Sequence, residues 1–427
     1  MTEKRAADGF LVIARNEAIQ KIQKNMKKIY EYSCKYLALN TVVRLFMRIY
    51  YRKIYMRGQE NIPFDCPIIF APNHKNALMD PLLILYSLPK EQVVFMARGD
   101  IFANKTIAKI MRFLKILPVF RMRDGIGSLG KNEEPFAEAI DTLKTNHKLC
   151  LMPEGQQIEQ RKLLPLVKGM FRIGFHAQEK FGNSPGVKIV PVGIDYEDLH
   201  FAGYNVSVQF GKPIELSDYY DLYTEDQPKA YNLLRKDLSP RMSELMLNIT
   251  SNDYYDAIYL VTLLEVDNYL KEHNLDENVW NKLKAKQEIS KQYCEEEKNN
   301  PEKIKALNDD MQKLYISEKS ADEIVRKMKK KTPFDYVKMI CCTLLLFPGL
   351  LFMLLPYSVI KFLTRKLLDS GFYSSVSFGL GILIPAFFFM VYFLIAAIFI
   401  PFSCSALLFL LIAPICSVVW FRLKNLY

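Results

Sequence analysis

Apolar residues change their spacing along this chain, and each spacing predicts a different kind of element. From Ala14 to about Met56 they recur at three- and four-residue steps (Ile19, Ile22, Met26, Ile29, Tyr30), with Lys21, Lys24, Lys27 and Lys28 between them. That pattern is a basic amphipathic helix, which either packs on a domain or lies on anionic lipid. From about Gly58 to Leu216 short apolar runs alternate with helical stretches. The predicted strands are Pro67–Ala71, Val93–Ala97, Leu117–Phe120, Lys148–Met152, Val187–Ile194 and Val206–Phe210. The predicted helices are Asp80–Ser87, Ile101–Leu114, Pro135–Asn146 and Val167–Lys180. Strand–helix alternation of this kind predicts an α/β domain with a mostly parallel sheet flanked by helices.

Beyond Leu216 the pattern loosens. Residues 217–331 read as polar, charged helices, a solvated pair or cap in which no chemistry is evident. Residues 332–427 hold three apolar segments, Val337–Ile360, Phe372–Ile400 and Phe402–Trp420. The last two are long enough to span hydrocarbon and are parted by Pro401, which suggests a hairpin. Pro348-Gly349 and Pro356 interrupt the first, and basic residues flank it (Arg326, Lys327 and Lys329–Lys331 before; Lys361, Arg365 and Lys366 after), with Arg422 and Lys424 at the end of the chain. A segment that dips in and returns at Pro348-Gly349 keeps all three clusters on one side, as the positive-inside tendency prefers, so a re-entrant or interfacial first segment is expected before the hairpin. The expected organisation is therefore a helical N-terminal region (1–57), an α/β domain (58–216), a charged helical region (217–331) and a membrane domain (332–427).

Composition narrows the partners. The net charge of +11 points to an anionic one, and the apolar tail makes membrane lipid a better candidate than nucleic acid. Basic residues interleaved with exposed aromatics, the mark of nucleic-acid modules, are not evident. Cys34, Cys66, Cys150 and Cys294 stand alone and Cys341-Cys342 lie side by side in an apolar run, so neither a disulfide framework nor a zinc spacing is suggested. The catalytic part is expected to face a reducing cytosol. The charged stretch Met1–Gly9 does not read as a signal peptide.

The chemistry concentrates at strand ends. Ala71-Pro72-Asn73-His74-Lys75-Asn76-Ala77-Leu78-Met79-Asp80-Pro81 follows one apolar strand and precedes an apolar helix. An Asp in reach of a His fixes its tautomer and leaves the other ring nitrogen to take a proton from a hydroxyl. Leu117-Pro118-Val119-Phe120-Arg121 ends a strand on a guanidinium, a natural fork for phosphate. Leu151-Met152-Pro153-Glu154-Gly155 ends another on a carboxylate and a glycine. Ile189-Val190-Pro191-Val192-Gly193-Ile194 is a strand interrupted by proline. Ligands bind at the carboxyl ends of strands in such sheets, so His74, Arg121 and Glu154 are expected on one edge.

These four blocks, in this order, resemble the motifs of the glycerolipid acyltransferase family, the glycerol-3-phosphate and lysophosphatidate acyltransferases with an NHxxxxD signature. The similarity runs from Gly58-Gln59-Glu60-Asn61-Ile62-Pro63 to Gly211-Lys212-Pro213-Ile214 and includes Leu164-Pro165-Leu166-Val167-Lys168-Gly169. Five residues separate His74 from Asp80, one more than the signature has, which leaves the closeness of the pair open. The resemblance implies a glycerol-3-phosphate acyltransferase-like fold, with His74 as general base and Asp80 orienting it. Asn73, Arg121, Glu154, Gly155 and Lys168 would serve substrate binding, Arg121 and Lys168 at the acceptor phosphate and Glu154 with Gly155 at the glycerol. The acceptor hydroxyl would attack an acyl thioester, acyl-CoA or acyl-ACP, with no other cofactor and no metal. An oxyanion stabiliser is required, and the backbone amides after His74 are candidates.

The tail stretch Ser374-Ser375-Val376-Ser377-Phe378-Gly379-Leu380-Gly381 resembles the subgroup that accepts glycerol 3-phosphate or dihydroxyacetone phosphate. The shorter members of the family more often acylate lysophosphatidate, the acceptor preferred here, with membrane lipids as surroundings. The implied location is an integral membrane protein with its catalytic domain on the cytoplasmic face, in a bacterial inner membrane or the endoplasmic reticulum. A non-catalytic lipid-binding scaffold is the rival class. A G-x-G-x-x-G match at Gly125-Ile126-Gly127-Ser128-Leu129-Gly130 reads as a loop rather than a dinucleotide site. His147, His176, His200 and His273 show no ligand spacing.

Overall fold

The structure, a computed structural model, describes residues 28–120, 132–315, 321–328, 333–367 and 370–424. Arg121, the glycine-rich stretch 124–130 and the start of the N-terminal helical region lie outside the described residues. Eight strands form one sheet in the order β1 (Ile54–Arg57), β7 (Val206–Phe210), β6 (Lys188–Tyr196), β2 (Ile68–Pro72), β5 (Lys148–Cys150), β3 (Val94–Arg98) and β4 (Ile116–Val119), while β8 (Ile214–Glu215) also pairs with β6. All pairings are parallel except those of β6 with β7 and β8. The mostly parallel sheet expected from the alternation of strands and helices is therefore present.

Helices cover both faces, and the period-two alternation decides which residue meets which. Ile69 and Ala71 of β2 join a core with Phe171, Phe175 and Leu234. Their neighbours Ile68 and Phe70 join the opposite core, with Met47, Leu83 and Ile84. Strands buried on both faces read as continuous apolar runs, and five of the expected strands differ from the observed ones by a residue or two while β7 has the expected bounds. Pro191 interrupts β6 without breaking it. β7 pairs with β6 from Val192 onward and β8 pairs at Lys188 and Ile189, so the proline falls opposite the turn between them, where the lost N–H matters least.

Two readings need correction. Ile54–Arg57, expected inside a helical region, is an edge strand parallel to β7, with Ile54 opposite Val206. An edge strand this short, half exposed, preceded by Lys53 and ending on Arg57, carries no readable alternation. The first apolar tail segment does not reverse at Pro348-Gly349: helix Pro333–Leu367 is continuous. Proline costs a helix one hydrogen bond and a bend, not a reversal. Gly349 instead permits close helix packing, since a Cβ there would meet the Cys416 carbonyl oxygen at 2.3 Å.

Helices Tyr373–Phe399 and Phe402–Phe421 are long and apolar enough to cross a membrane. Of the charged helical region, Gln227–Ser243 buries Ala230, Tyr231, Leu234, Leu238 and Met242 in the same core as β2. The sheet thus draws helical cover from beyond Leu216.

Candidate active site

At the carboxyl end of β2 the chain leaves the sheet through Asn73. Its carboxamide prolongs the ladder: Oδ1 accepts from the Ile194 N–H at 2.7 Å and Nδ2 donates to the Ile194 carbonyl at 3.0 Å. Asn73 is fully buried and holds the exit of the strand rather than facing solvent. Residues 75–78 turn, and Met79 opens helix Met79–Ser87 with Asp80 and Pro81 in its first turn, where a proline lacks no bond the helix needs.

The extra residue between His74 and Asp80 is absorbed in that turn. His74 Nδ1 lies 2.9 Å from Asp80 Oδ2. The same oxygen accepts from the Lys75 and Asn76 backbone N–H groups, each at 2.8 Å. Asp80 Oδ1 accepts from the Tyr196 hydroxyl. Every partner of this buried carboxylate is a donor. A carboxylate can only accept, so Nδ1 carries the imidazole proton and Nε2 presents a lone pair. The His74 side chain is 19% exposed and that of Asp80 is 0% exposed, which describes a base at the surface of a site oriented from beneath. Burial and the nearby Asp80 push the Tyr196 phenol well above its usual range, keeping it a donor.

Glu154 lies beneath the same loop. Its Oε1 accepts from the His74 N–H at 2.7 Å, and its Oε2 accepts from the Leu164 N–H at 2.9 Å and from Lys75 Nζ at 3.3 Å. Both Lys75 and Glu154 are buried. Burial pushes the Lys75 ammonium down from its ordinary range, against the pull of Glu154 and Asp80. The His74 carbonyl accepts from the Ile158 N–H at 3.4 Å, so the base is fixed on both sides of its peptide. Gly155 follows at φ 66°, a left-handed conformation where a side chain would also crowd Val167 at 3.2 Å. Lys168 is exposed just before helix Gly169–Gln178.

The structure thus brings His74, Asp80, Asn73, Glu154 and Gly155 together at one sheet edge. It uses the Lys75 and Asn76 amides, expected as oxyanion donors, to hold Asp80 instead. Sequence reading missed Tyr196, whose signal is period two: Val190, Val192, Ile194 and Tyr196 share one face of β6 and one core. It also missed Arg161, whose Nη2 donates to the Tyr196 carbonyl at 2.8 Å and whose backbone N–H donates to Tyr255 Oη at 2.6 Å. That second bond ties the site to the charged helical region, in which no chemistry was legible.

Of the other histidines, His176 sits 2.9 Å from Glu179, and His200 Nε2 lies 3.6 Å from Glu159. Among the described residues no group of three or more His, Cys, Asp or Glu is placed to hold a metal ion.

Residues 53–195 match the family model described as Acyltransferase. The chain is 22% identical over 197 residues to the 1-acyl-sn-glycerol-3-phosphate acyltransferase of Bacillus subtilis (strain 168), covering 45% of this chain and 90% of that one. Among solved structures, the 1-acyl-sn-glycerophosphate (LPA) acyltransferase PlsC of Thermotoga maritima aligns with 20% identity and a TM-score of 0.34, covering 55% of this chain and 88% of that one.

Proposed function

We propose that this chain, whose residues 53–195 match the acyltransferase family model, is a membrane-bound O-acyltransferase of that family that esterifies the free hydroxyl of lysophosphatidate in phospholipid synthesis. The observation that carries the reading is the His74–Asp80 pair at 2.9 Å, oriented from beneath by Tyr196 and two backbone amides. His74 Nε2 takes the proton of the acceptor hydroxyl as its oxygen attacks the thioester carbonyl. The new C–O bond forms, the C–S bond breaks, and the imidazolium returns its proton to the departing thiolate. Asp80 stabilises the imidazolium throughout. The acceptor is itself the nucleophile, so no acyl-enzyme is required, and no cofactor is called for beyond the thioester, acyl-CoA or acyl-ACP.

Around this pair, Arg121 is assigned to the acceptor phosphate and Lys168 to the positive field near it. Asn73, Glu154 and Gly155 serve the substrate through the loop that they hold. Helices Tyr373–Phe399 and Phe402–Phe421, apolar and long enough to span hydrocarbon, support a membrane location, and the reading puts the α/β domain on the cytoplasmic face of a bacterial inner membrane or the endoplasmic reticulum. The type of residue at Arg121 and the activity named for the Bacillus subtilis relative support a phosphate-bearing acceptor. The resemblance of the tail stretch that begins at Ser374-Ser375 to the subgroup accepting glycerol 3-phosphate or dihydroxyacetone phosphate supports those acceptors as the second reading.

The test is acyl transfer from labelled palmitoyl-CoA and palmitoyl-ACP in detergent, offered lysophosphatidate, glycerol 3-phosphate and dihydroxyacetone phosphate in turn. Preference for lysophosphatidate is expected. Transfer to glycerol 3-phosphate alone moves the chain to the first acylation, and transfer to none of them overturns the reading.

A further inference from the structure

The first turn of an apolar tail helix is built into the wall of the active site. Ser374 and Ser375, the second and third residues of helix Tyr373–Phe399, are 3% and 7% exposed. Asn76, in the turn between His74 and Asp80, meets both. Its Nδ2 donates to Ser374 Oγ and, at 3.2 Å, to the Leu199 carbonyl. Its Oδ1 accepts from Ser375 Oγ at 2.9 Å, and Ser375 Oγ in turn accepts from the Leu78 N–H at 3.1 Å.

Three further contacts fix the same turn. Tyr50 Oη donates to the Ser374 carbonyl at 3.2 Å, and its ring meets Phe378 edge-on at 5.5 Å. Gln157 Nε2 bridges the Gly371 carbonyl at 3.0 Å and the Lys75 carbonyl at 3.2 Å.

These bonds form a short path to the chemistry. The Asn76 backbone N–H donates to Asp80 Oδ2, the oxygen that faces His74. Among the described residues, the hydrogen bonds of the Asn76 side chain run to the two serines and the Leu199 carbonyl, outside its own turn. Leu78, whose amide Ser375 caps, immediately precedes the helix that carries Asp80. Removing the hydroxyls would strand buried polar atoms on the segment whose shape sets the His74–Asp80 distance, and such segments rearrange to recover hydrogen bonds.

We infer that Ser374 and Ser375 are positioning residues for the catalytic pair, acting through Asn76 and Leu78. The apolar tail is then a structural part of the active site and not only an anchor. The next turns of the same helix expose Leu383, Phe387, Leu394 and Ile398, so the segment that shapes the site continues into the segment offered to lipid. This role rests on the acyl-transfer reading, because it assigns the pair that the serines position.

The test uses the full-length chain in detergent. The double variant Ser374→Ala/Ser375→Ala is compared with wild type for kcat, for KM of thioester and acceptor, and for amide hydrogen exchange across residues 73–80. The expected result is a kcat lower by about tenfold or more with both KM values within about threefold, together with faster exchange in that segment. Ser377→Ala, two residues further along the helix, is expected to leave all three unchanged. If the double variant does not fold, Ser375→Ala alone is measured in its place.

A folded double variant with wild-type kcat overturns the inference, as does a loss confined to KM. If wild type acylates none of the acceptors, the acyl-transfer reading fails, and the exchange data then decide the coupling separately: faster exchange upholds it and unchanged exchange overturns it.

Discussion

Asp80 Oδ2 faces His74 Nδ1 at 2.9 Å while also accepting from the backbone N–H groups of Lys75 and Asn76. The turn that carries the base therefore wraps the carboxylate that orients it. An additional residue in such a turn lengthens the loop without moving its ends apart, because both ends are tied to one oxygen. Asp80→Asn retains the size of the group but places an amide donor among donors. It is expected to lower kcat by about 10³-fold with little change in KM, which steady-state kinetics of acyl transfer would establish.

Tyr196 supports the same carboxylate from the other side. Tyr196→Phe removes one donor and leaves Asp80 Oδ1 short of a partner in a buried site. A loss of about 1–2 kcal/mol of transition-state stabilisation, or roughly tenfold in kcat, is expected. A variant with wild-type kcat would remove Tyr196 from the site.

Glu154 offers a test of placement. Its carboxylate engages the His74 amide, the Leu164 amide and the Lys75 ammonium. Glu154→Gln keeps the shape and strands a buried cation. The expected cost is about 3 kcal/mol, roughly 5–10 °C in Tm for a domain of this size. If Glu154 instead contacts the acceptor directly, KM for the acceptor rises while Tm holds. Thermal unfolding measured beside kinetics separates the two.

Lys115 supplies a pH dependence. It is 3% exposed, donates to the Ile29 and Glu31 carbonyls, and burial lowers its pKa to about 8 against the pull of Glu31. Between about pH 8 and 10.5 the unfolded chain binds more protons at this position than the folded one, so its contribution to stability rises with pH across that window. Lys115→Met removes this rise whatever it does to stability itself. Stability measured at pH 8 and pH 9.5 is expected to show wild type gaining about 1 kcal/mol relative to the variant. Parallel curves for the two proteins would contradict the assignment.

Much of this fold and site was legible in the sequence, for definite reasons. Strands such as β2 and β6 are buried on both faces and read as apolar runs, and His74 and Glu154 stand at strand ends where the chain must turn. Chemistry that depends on distant segments was not legible. The resemblance implies a substrate-binding role for Asn73, while the ladder that its carboxamide completes with Ile194, more than a hundred positions away, has no local signal. The Lys75 and Asn76 amides are committed to Asp80 only because the turn closes on itself. The edge strand at Ile54–Arg57 depends on β7, which lies far ahead in the chain. The Pro348-Gly349 pair signals a break locally and becomes a helix crossing only when the backbone of Cys416 arrives.

The central claim, that His74 is the base of a direct acyl transfer, is tested most directly by the initial rate of transfer from labelled palmitoyl thioester by full-length His74→Ala beside wild type, at matched Tm. A rate lower by about 10³-fold or more, with no label retained on either protein, is the predicted result. Transfer by His74→Ala at the wild-type rate, or an acyl group held covalently on wild type during turnover, would contradict it.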